Sequence, residues 1–143
     1  MHWTTRPSTI ADATWIAELR AVVMRPDLER LGRFDADRVR CRFLDAFDPA
    51  HTRIIVVDGA DAGTIALRPG DDGTWLEHFY LDERVQGQGI GTKVLQATLA
   101  EPPRAAPWRL NVLRGSPARR LYERHGFAFD REDEVDVFLL RYT

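Results

Sequence analysis

The sequence predicts a mixed α/β (α+β) fold, in which a mostly antiparallel central sheet is flanked by about four helices. Four segments repeat apolar residues at helical spacing, and a central stretch holds three extended, apolar runs separated by tight-turn residues. The length of 143 residues suits one domain, because a single hydrophobic core usually serves roughly 100–200 residues. We therefore expect residues 1–143 to form a single domain.

The first elements are a short strand and two helices. A strand is predicted over residues 3–6, followed by a helix that Thr9 or Asp12 can cap. Pro26 is expected to end this helix, because proline lacks the N–H of a helical bond and clashes with the preceding turn. A second helix is predicted over residues 34–47, with Asp35 as its cap. The buried face of the first helix is predicted from its spacing to hold Trp15, Ile16, Leu19, Val22 and Val23.

The periodicity then changes from helical to extended. Residues 52–57 are β-branched and apolar, and Asp58-Gly59 is a tight-turn signal before the next extended run, residues 62–67. A further turn over residues 68–73 precedes a third run, residues 74–81. Successive strands joined by tight turns predict an antiparallel meander.

The remaining third alternates helices and strands. A helix is predicted over residues 90–100, and a strand over residues 109–113. Ser116 is expected to cap the next helix, because its hydroxyl can accept from a free backbone N–H. Pro117 suits the first position of this helix, and Gly126 suits its end. Residues 127–131 and 135–142 are predicted to form a final hairpin.

Composition excludes several classes of protein. The formal charge of −2 gives no basic field for nucleic acid, and no apolar run approaches the ~20 residues of a membrane helix. The start of the sequence lacks a secretory apolar segment, and one cysteine, Cys41, cannot form an internal disulfide. The four histidines show no metal-ligand spacing, so no metal is expected. A cytoplasmic location is the resulting expectation.

A glycine-rich turn between a predicted strand and a predicted helix is the most informative segment. It reads Gln86-Gly87-Gln88-Gly89-Ile90-Gly91-Thr92. Glycines let backbone N–H groups approach an anion closely, and a helix start adds unpaired donors and partial positive charge. The segment therefore predicts a cradle for phosphate or pyrophosphate. A plain strand-to-helix turn without a ligand is the alternative.

Two common nucleotide-binding motifs do not match this turn. A P-loop requires Gly-Lys followed by Ser or Thr, whereas Lys93 follows Thr92 and precedes Val94. A dinucleotide fingerprint starting at Gly87 requires a glycine where Thr92 stands. The preceding meander is also antiparallel, whereas the dinucleotide motif belongs to a parallel unit.

The sequence resembles the GNAT N-acetyltransferase superfamily at two motifs. Residues 86–91 are similar to the family's Gln/Arg-x-x-Gly-x-Gly/Ala signature, and residues 116–127 resemble its Asn-x-Ala-x-x-Leu-Tyr-x-x-x-Gly-Phe segment. The order of predicted elements also fits the family, so the resemblance covers nearly the whole chain. Ser116 stands where many members have asparagine.

The resemblance implies acetyl-CoA as cosubstrate, bound in a cleft where two central strands splay apart. These strands correspond here to residues 74–81 and 109–113. The loop N–H groups would hold the pyrophosphate, the end of the first strand would pair with pantetheine, and Ser116 or Asn111 would replace the usual asparagine contact. The implied cofactor-binding residues are Phe79, Tyr80, Leu81, Gln86, Gly87, Gln88, Gly89, Ile90, Gly91, Thr92, Asn111 and Ser116.

The implied reaction is direct attack of a primary amine on the thioester. The family commonly protonates the departing thiolate with the tyrosine of the second motif, which is Tyr122 here. Glu77 and His78 are the two candidate bases for the amine proton; a water relay is the third possibility. As neighbours on a strand, Glu77 and His78 are expected to point to opposite faces, so that only one reaches the cleft.

Two other functions and several acceptors stay open. A non-catalytic acyl-CoA sensor of the same fold and a nucleotide-binding module are the alternatives to the enzyme. The acceptor would meet residues 24–47, and small amines, amino-acid derivatives, antibiotics and protein N-termini or lysines are all possible. Neither nucleic acid nor membrane is an expected partner, whereas a homodimer is possible.

Overall fold

Seven strands form one sheet in the computed structural model, which describes residues 1–103 and 105–142 and places four α-helices there. No helix in these ranges is both long and apolar enough to cross a bilayer. The strands are β1 (Trp3–Pro7), β2 (Thr52–Val57), β3 (Ala60–Gly70), β4 (Gly73–Leu81), β5 (Trp108–Leu113), β6 (Ala128–Glu132) and β7 (Asp136–Arg141). The helices are α1 (Ala13–Arg30), α2 (Ala36–Ala46), α3 (Ile90–Leu99) and α4 (Ala118–Glu123).

The sheet has the order β1-β2-β3-β4-β5-β7-β6, and its only parallel neighbours among the described strands are β4 and β5. The predicted meander is confirmed, with β2, β3 and β4 paired antiparallel in sequence order. Asp58 and Gly59 join β2 to β3 with φ values of +50° and +82°, the left-handed pair of a tight hairpin turn. The mixed, mostly antiparallel fold class expected from the sequence is therefore confirmed.

The helices cover opposite faces of the sheet, as the alternation of buried residues on β2 shows. Ile54 packs with α1 and α2, whereas its neighbour Ile55 belongs to the cluster that contains residues of α3 and α4. Both side chains are completely buried. The larger core is thus on the α3/α4 face, and the α1/α2 face carries a second, smaller core.

Local signals set the helix ends as expected in three places. The Asp35 carboxylate accepts a hydrogen bond from the Arg38 N–H at 3.0 Å and caps α2. The Ser116 hydroxyl accepts from the Ala118 N–H at 3.2 Å at the start of α4. Gly126 follows α4 with φ +88°, a left-handed conformation that favours glycine.

The prediction that Pro26 ends the first helix is wrong, because α1 continues through it to Arg30. Leu28, beyond the proline, is buried in a cluster with Ala21, before it, and Val39 of α2. This packing on both sides of Pro26 offsets the lost helical hydrogen bond. The predicted apolar face is also partly wrong, since Val22 is 53% exposed and small residues, Ala17 and Ala21, are buried instead.

The predicted turn over residues 68–73 is too long. β3 extends to Gly70 and β4 begins at Gly73, so that Asp71 and Asp72 alone lie between the strands. Pro69 pairs with Thr74 in this hairpin, although proline and glycine commonly mark the end of a strand. The proline and glycine residues therefore led to a predicted end of β3 that is too early and a predicted turn that is too long.

Candidate active site

A cleft opens where β4 and β5 diverge. The two strands pair only at Thr74 with Trp108 and at Trp75 with Arg109, after which β5 continues to pair with β7 and β4 with β3. The cavity has a volume of about 1110 Å³ and is lined by both strands, α1, α2, α4 and the connection between β6 and β7. The splayed strand pair expected from the sequence is therefore present.

A bulge in β4 shapes the middle of this cleft. Thr64 pairs with Tyr80 and Ala66 with Glu77. The two residues His78 and Phe79 on β4 therefore stand opposite the single residue Ile65 on β3. His78 has φ +47°, a left-handed conformation that only a few per cent of residues other than glycine adopt. The bulge interrupts the alternation of the strand, and both Glu77 and His78 line the cleft. The prediction that these two neighbours point to opposite faces is thus wrong.

His78 is held in a network with Tyr80 and Arg20. Its Nδ1 lies 3.1 Å from the Tyr80 hydroxyl, which accepts a hydrogen bond from the Arg20 Nε–H at 2.9 Å. Phe43 of α2 packs edge-on against the imidazole with ring centroids 5.1 Å apart. Burial lowers the pKa of His78, and Arg20 and Arg68 lower it further against the opposing effect of Glu77. This environment favours the neutral imidazole, which can accept a proton.

Glu77 is engaged in an ion pair on the same wall. Its Oε1 accepts from the Nε and Nη2 groups of Arg68 at 3.0 and 2.7 Å. Arg68 also lies over the Trp75 ring, 5.7 Å from its centroid. The charge of the Glu77 carboxylate is therefore already balanced by Arg68, whereas His78 has no ion-pair partner among the described residues.

Tyr122 of α4 lines the cleft and packs in the core on the α3/α4 face of the sheet. The side chain is buried against Phe127, with ring centroids 5.8 Å apart, and it lines the cavity. Burial raises the pKa of the Tyr122 phenol well above its usual range, and the nearby Tyr80 raises it further. The phenol therefore keeps its proton at neutral pH and is a hydrogen-bond donor and acid.

The glycine-rich turn leaves a row of unpaired donors at the start of α3. Within residues 1–103 and 105–142, the backbone N–H groups of residues 87–92 find no acceptor. Their neighbours are paired, since Gln86 N–H donates to Glu83 and Lys93 N–H to Gly89. Gly87 and Gly89 have φ values of +74° and +81°, and open space surrounds the position of an added Cβ at both. Free N–H donors in this position, at the start of a helix, are suited to bind an anion.

The end of β4 and the two side chains expected to replace asparagine also line the cleft. Phe79, Tyr80 and Leu81 lie beyond the last pairing with β5, and they continue into the turn, where Gln86 Nε2 donates to the Leu81 carbonyl at 2.8 Å. The Asn111 amide donates to Asp136 at 3.0 Å, and Ser116 caps α4. Both side chains thus have protein partners already.

Several arginines of the cleft were missed from the sequence. Arg20, Arg33, Arg38, Arg42 and Arg68 all line it. The signal that was available is the spacing of four residues between Arg38 and Arg42, which places both on one side of α2. Arg20 carries no such signal, because its contact with Tyr80 joins residues that are 60 positions apart.

Comparison with known proteins gives a consistent family. The model of the acetyltransferase (GNAT) domain matches residues 49–128, which is more than half of the chain. The match runs from β2, through the glycine-rich turn, to α4 and the start of β6.

Two curated relatives match a shorter stretch of the chain than the family model does. A spermine/spermidine N(1)-acetyltransferase of Bacillus subtilis is 42% identical over 62 residues, which are 41% of this chain and 41% of that protein. A probable spermine N(1)-acetyltransferase of Bacillus subtilis subsp. natto is 39% identical over 62 residues. The chain therefore matches less than half the length of these relatives.

Solved structures share the whole fold. The PaiA N-acetyltransferase of Thermoplasma acidophilum, in complex with coenzyme A, has a TM-score of 0.74 at 16% identity, and the match covers 100% of each chain. An acetyltransferase of Thermus thermophilus has a TM-score of 0.76 at 14% identity, covering 100% of this chain and 98% of that one. At such identities the likeness concerns the fold.

Proposed function

Because this chain belongs to the GNAT acetyltransferase family, we propose that it transfers the acetyl group of acetyl-CoA to a small primary amine. One observation carries the proposal: unpaired N–H groups of residues 87–92 stand beside a splayed-strand cleft that also contains the buried phenol of Tyr122. In this proposal residues 1–143 act as one N-acetyltransferase domain.

The residues present fit acetyl-CoA. The unpaired donors of Gly87, Gln88, Gly89, Ile90, Gly91 and Thr92, with Gln86 at the start of the turn, would hold the pyrophosphate at the N-terminus of α3. Phe79, Tyr80 and Leu81 would pair with pantetheine, because this end of β4 has no strand partner on the β5 side. Asn111 and Ser116 line the same cleft and would add side-chain contacts. Acetyl-CoA supplies a thioester, whose carbonyl carbon is the electrophile for the amine.

His78 removes the proton of the acceptor amine in this proposal. A protonated alkylamine with a pKa of about 10 is not a nucleophile, so that the site needs a group that accepts this proton. The tautomer that serves donates Nδ1–H to the Tyr80 oxygen and leaves the Nε2 lone pair free. Glu77 is the weaker candidate, since its carboxylate oxygen Oε1 already accepts two N–H groups from Arg68. A water relay to His78 serves equally well where the amine lies farther away.

Tyr122 donates the proton that the departing thiolate needs. Its phenol is protonated at neutral pH and lines the same cleft as His78. His78 and Tyr122 thus divide the work: the imidazole takes the proton from the amine, and the phenol provides one to the sulfur. Starting from the ammonium ion, the nitrogen loses two protons: His78 passes the first to solvent before the attack and accepts the second as the C–N bond forms. The C–S bond breaks to give the thiolate, which takes the Tyr122 proton. The imidazolium and the phenolate then return to their neutral forms through solvent, so that one turnover releases one proton.

The experiment measures binding and turnover in the same preparations. Calorimetric titration with acetyl-CoA gives the Kd, and a free-thiol assay over a panel of amines gives kcat/KM. Thr92→Glu places a carboxylate at the anion cradle and should weaken acetyl-CoA binding at least tenfold. Gln96→Glu, one turn along the exposed side of α3, makes the same charge change and serves as the matched control.

Three results decide the proposal. Acetylation of at least one amine, with binding lost in Thr92→Glu and kept in Gln96→Glu, would support it. Binding without turnover on any amine would favour a non-catalytic acyl-CoA sensor. Failure of the unmodified protein to bind acetyl-CoA would refute the assignment of the cradle.

A further inference from the structure

One wall of the cleft presents a stripe of positive charge. Arg38, Arg42 and Ala46 are spaced four residues apart on α2, and all three line the cavity. Phe43, next to Arg42, packs on the imidazole of His78. The stripe therefore borders the part of the cleft in which the acceptor amine would meet its base.

The arginines of this stripe have no carboxylate partner. Among the described residues, the side chains of Arg38 and Arg42 make neither an ion pair nor a hydrogen bond, although both are exposed to the cleft. Arg40 of the same helix differs, since it pairs with Glu18 at 2.7 Å and with Asp37 at 3.3 Å. Arg38 and Arg42 are thus left free for a ligand.

The carboxylates that line the cleft are, in contrast, already engaged. Their partners are Arg68 for Glu77, Arg30 for Asp27, Arg33 for Glu134, the Asn111 amide for Asp136, and the N–H groups of Val135 and Asp136 for Asp133. Arg20 adds another positive charge near His78, held by the Tyr80 oxygen and the Val39 carbonyl. Within the described ranges, Asp133 and Asp136 bind only neutral N–H groups and keep their negative charge between β6 and β7 and at the start of β7. Around His78, in contrast, Glu77 is paired with Arg68 and Arg20 adds a further positive charge, so that the net charge there is positive and disfavours a polycationic acceptor.

We propose that the acceptor is an amine that also carries an anionic group, a carboxylate or a phosphate, which Arg38 and Arg42 bind. The inference rests on the proposed acetyltransfer and specifies its substrate class. A guanidinium matches both anions with paired N–H donors, and such charged hydrogen bonds are stronger than neutral ones. The anion would dock on α2 while the amine reaches His78.

Matched acceptors test this class without changing the reacting group. Propylamine and β-alanine differ by a carboxylate in place of a methyl group, and ethanolamine and O-phosphoethanolamine differ by a phosphate. Spermidine serves as the polycationic acceptor. The anionic member of at least one pair should have a kcat/KM about tenfold or more above its neutral partner, and the two pairs distinguish carboxylate from phosphate. Added salt should reduce this preference, because the stripe is exposed.

Variants of the stripe assign the preference to its arginines. In Arg38→Gln and Arg42→Gln, the ratio of kcat/KM for the anionic acceptor to that for its neutral partner should fall about tenfold. Arg40→Gln removes the same charge from the same helix but outside the cleft, and it should leave this ratio within about twofold. Calorimetric titration of the preferred acceptor into protein saturated with coenzyme A gives an affinity without turnover, which should fall in parallel.

The outcomes separate this inference from the proposed function. Acetylation of neutral amines or spermidine as efficiently as of anionic acceptors would overturn the substrate class and leave the acetyltransfer standing. An equal loss of the ratio in Arg40→Gln would assign the preference to general charge and would also overturn it. Failure to acetylate any amine, despite binding of acetyl-CoA, would overturn both.

Discussion

At the scale of single residues, burial determines the protonation state of the Tyr122 phenol. It lies in the cleft with its proton retained, since burial raises its pKa. The hydroxyl makes no hydrogen bond within residues 1–103 and 105–142, so its removal should cost the fold little. Its chemistry and its packing can therefore be tested apart.

Tyr122→Phe should lower kcat by about 10²-fold, because it removes the proposed acid and keeps the ring that packs on Phe127. The Kd for acetyl-CoA and the melting temperature should change little. Tyr142→Phe, an exposed phenol outside the cleft, is the control. Unchanged kcat in Tyr122→Phe would assign the protonation of the thiolate to another group.

The pH profile tests His78 as the base. Its pKa is lowered below 6.5, so that the imidazole is neutral above that pH and becomes protonated below it. The amine also titrates, and the slope of log kcat/KM against pH should therefore steepen from about 1 to about 2 on passing below pH 6.5.

His78→Asn should abolish this second step, and asparagine tolerates the left-handed backbone of the bulge. Glu77→Gln should retain the step. A profile that keeps its steep limb in His78→Asn, or loses it in Glu77→Gln, would contradict the assignment to His78.

At the scale of elements, the sequence predicted the helix and strand bounds that local residue types set. The predicted bounds of β2 agree with the structure, because its run of β-branched residues is flanked by a tight-turn pair. The bulge at His78 was not predictable, since neither the alternation nor the residue type marks a left-handed conformation there. The course of α1 through Pro26 was missed because its cause, the burial of Leu28 against α2, is a tertiary contact.

Pro26→Ala should stabilise the protein, because alanine restores the helical N–H inside α1 and removes the ring clash. The loss of proline's restriction on the unfolded chain opposes this gain by about 0.4–1 kcal/mol. We expect a net increase of about 1–2 kcal/mol in the free energy of unfolding, measured with urea. A decrease would show that the proline is required for the local path of α1.

At the scale of the whole molecule, Arg6 connects distant parts of the chain. Its guanidinium donates to Asp12, before α1, and to Asp61 of β3, with closest distances of 2.8 Å to each. The Asp12 carboxylate also accepts from Trp15 Nε1 and the Thr9 N–H. Hydrogen bonding to Arg6, and then to Trp15 and Thr9, holds the pKa of Asp12 well below its usual range.

This network predicts that the free energy of unfolding falls as the pH is lowered. A carboxylate with a lowered pKa in the folded state stabilises the protein above its unfolded value of 3.8, and this contribution is lost as the pH falls below that value. Asp12→Asn should remove about 1–2 kcal/mol at pH 7, a figure that allows for the partly exposed guanidinium of Arg6. Urea unfolding from pH 7 to pH 3 should show a smaller decline in this variant than in the unmodified protein.

Asp45→Asn, an exposed carboxylate on α2, is the control and should leave the decline unchanged. An identical decline in Asp12→Asn and the unmodified protein would place the acid sensitivity elsewhere. The splay of β4 from β5 was expected only from the resemblance to a family, and the order of the seven strands was not predicted, because pairing between distant strands leaves no local mark in the sequence.

The row of free donors at the start of α3 is the claim on which the function depends, and amide NMR tests it directly. In a titration of the ¹⁵N-labelled protein with acetyl-CoA, we expect saturable shifts at the amides of residues 86–92, with further shifts at Phe79, Tyr80 and Leu81. The same titration of Thr92→Glu should require at least tenfold more ligand. Saturable binding that leaves the amides of residues 86–92 unmoved would contradict the account.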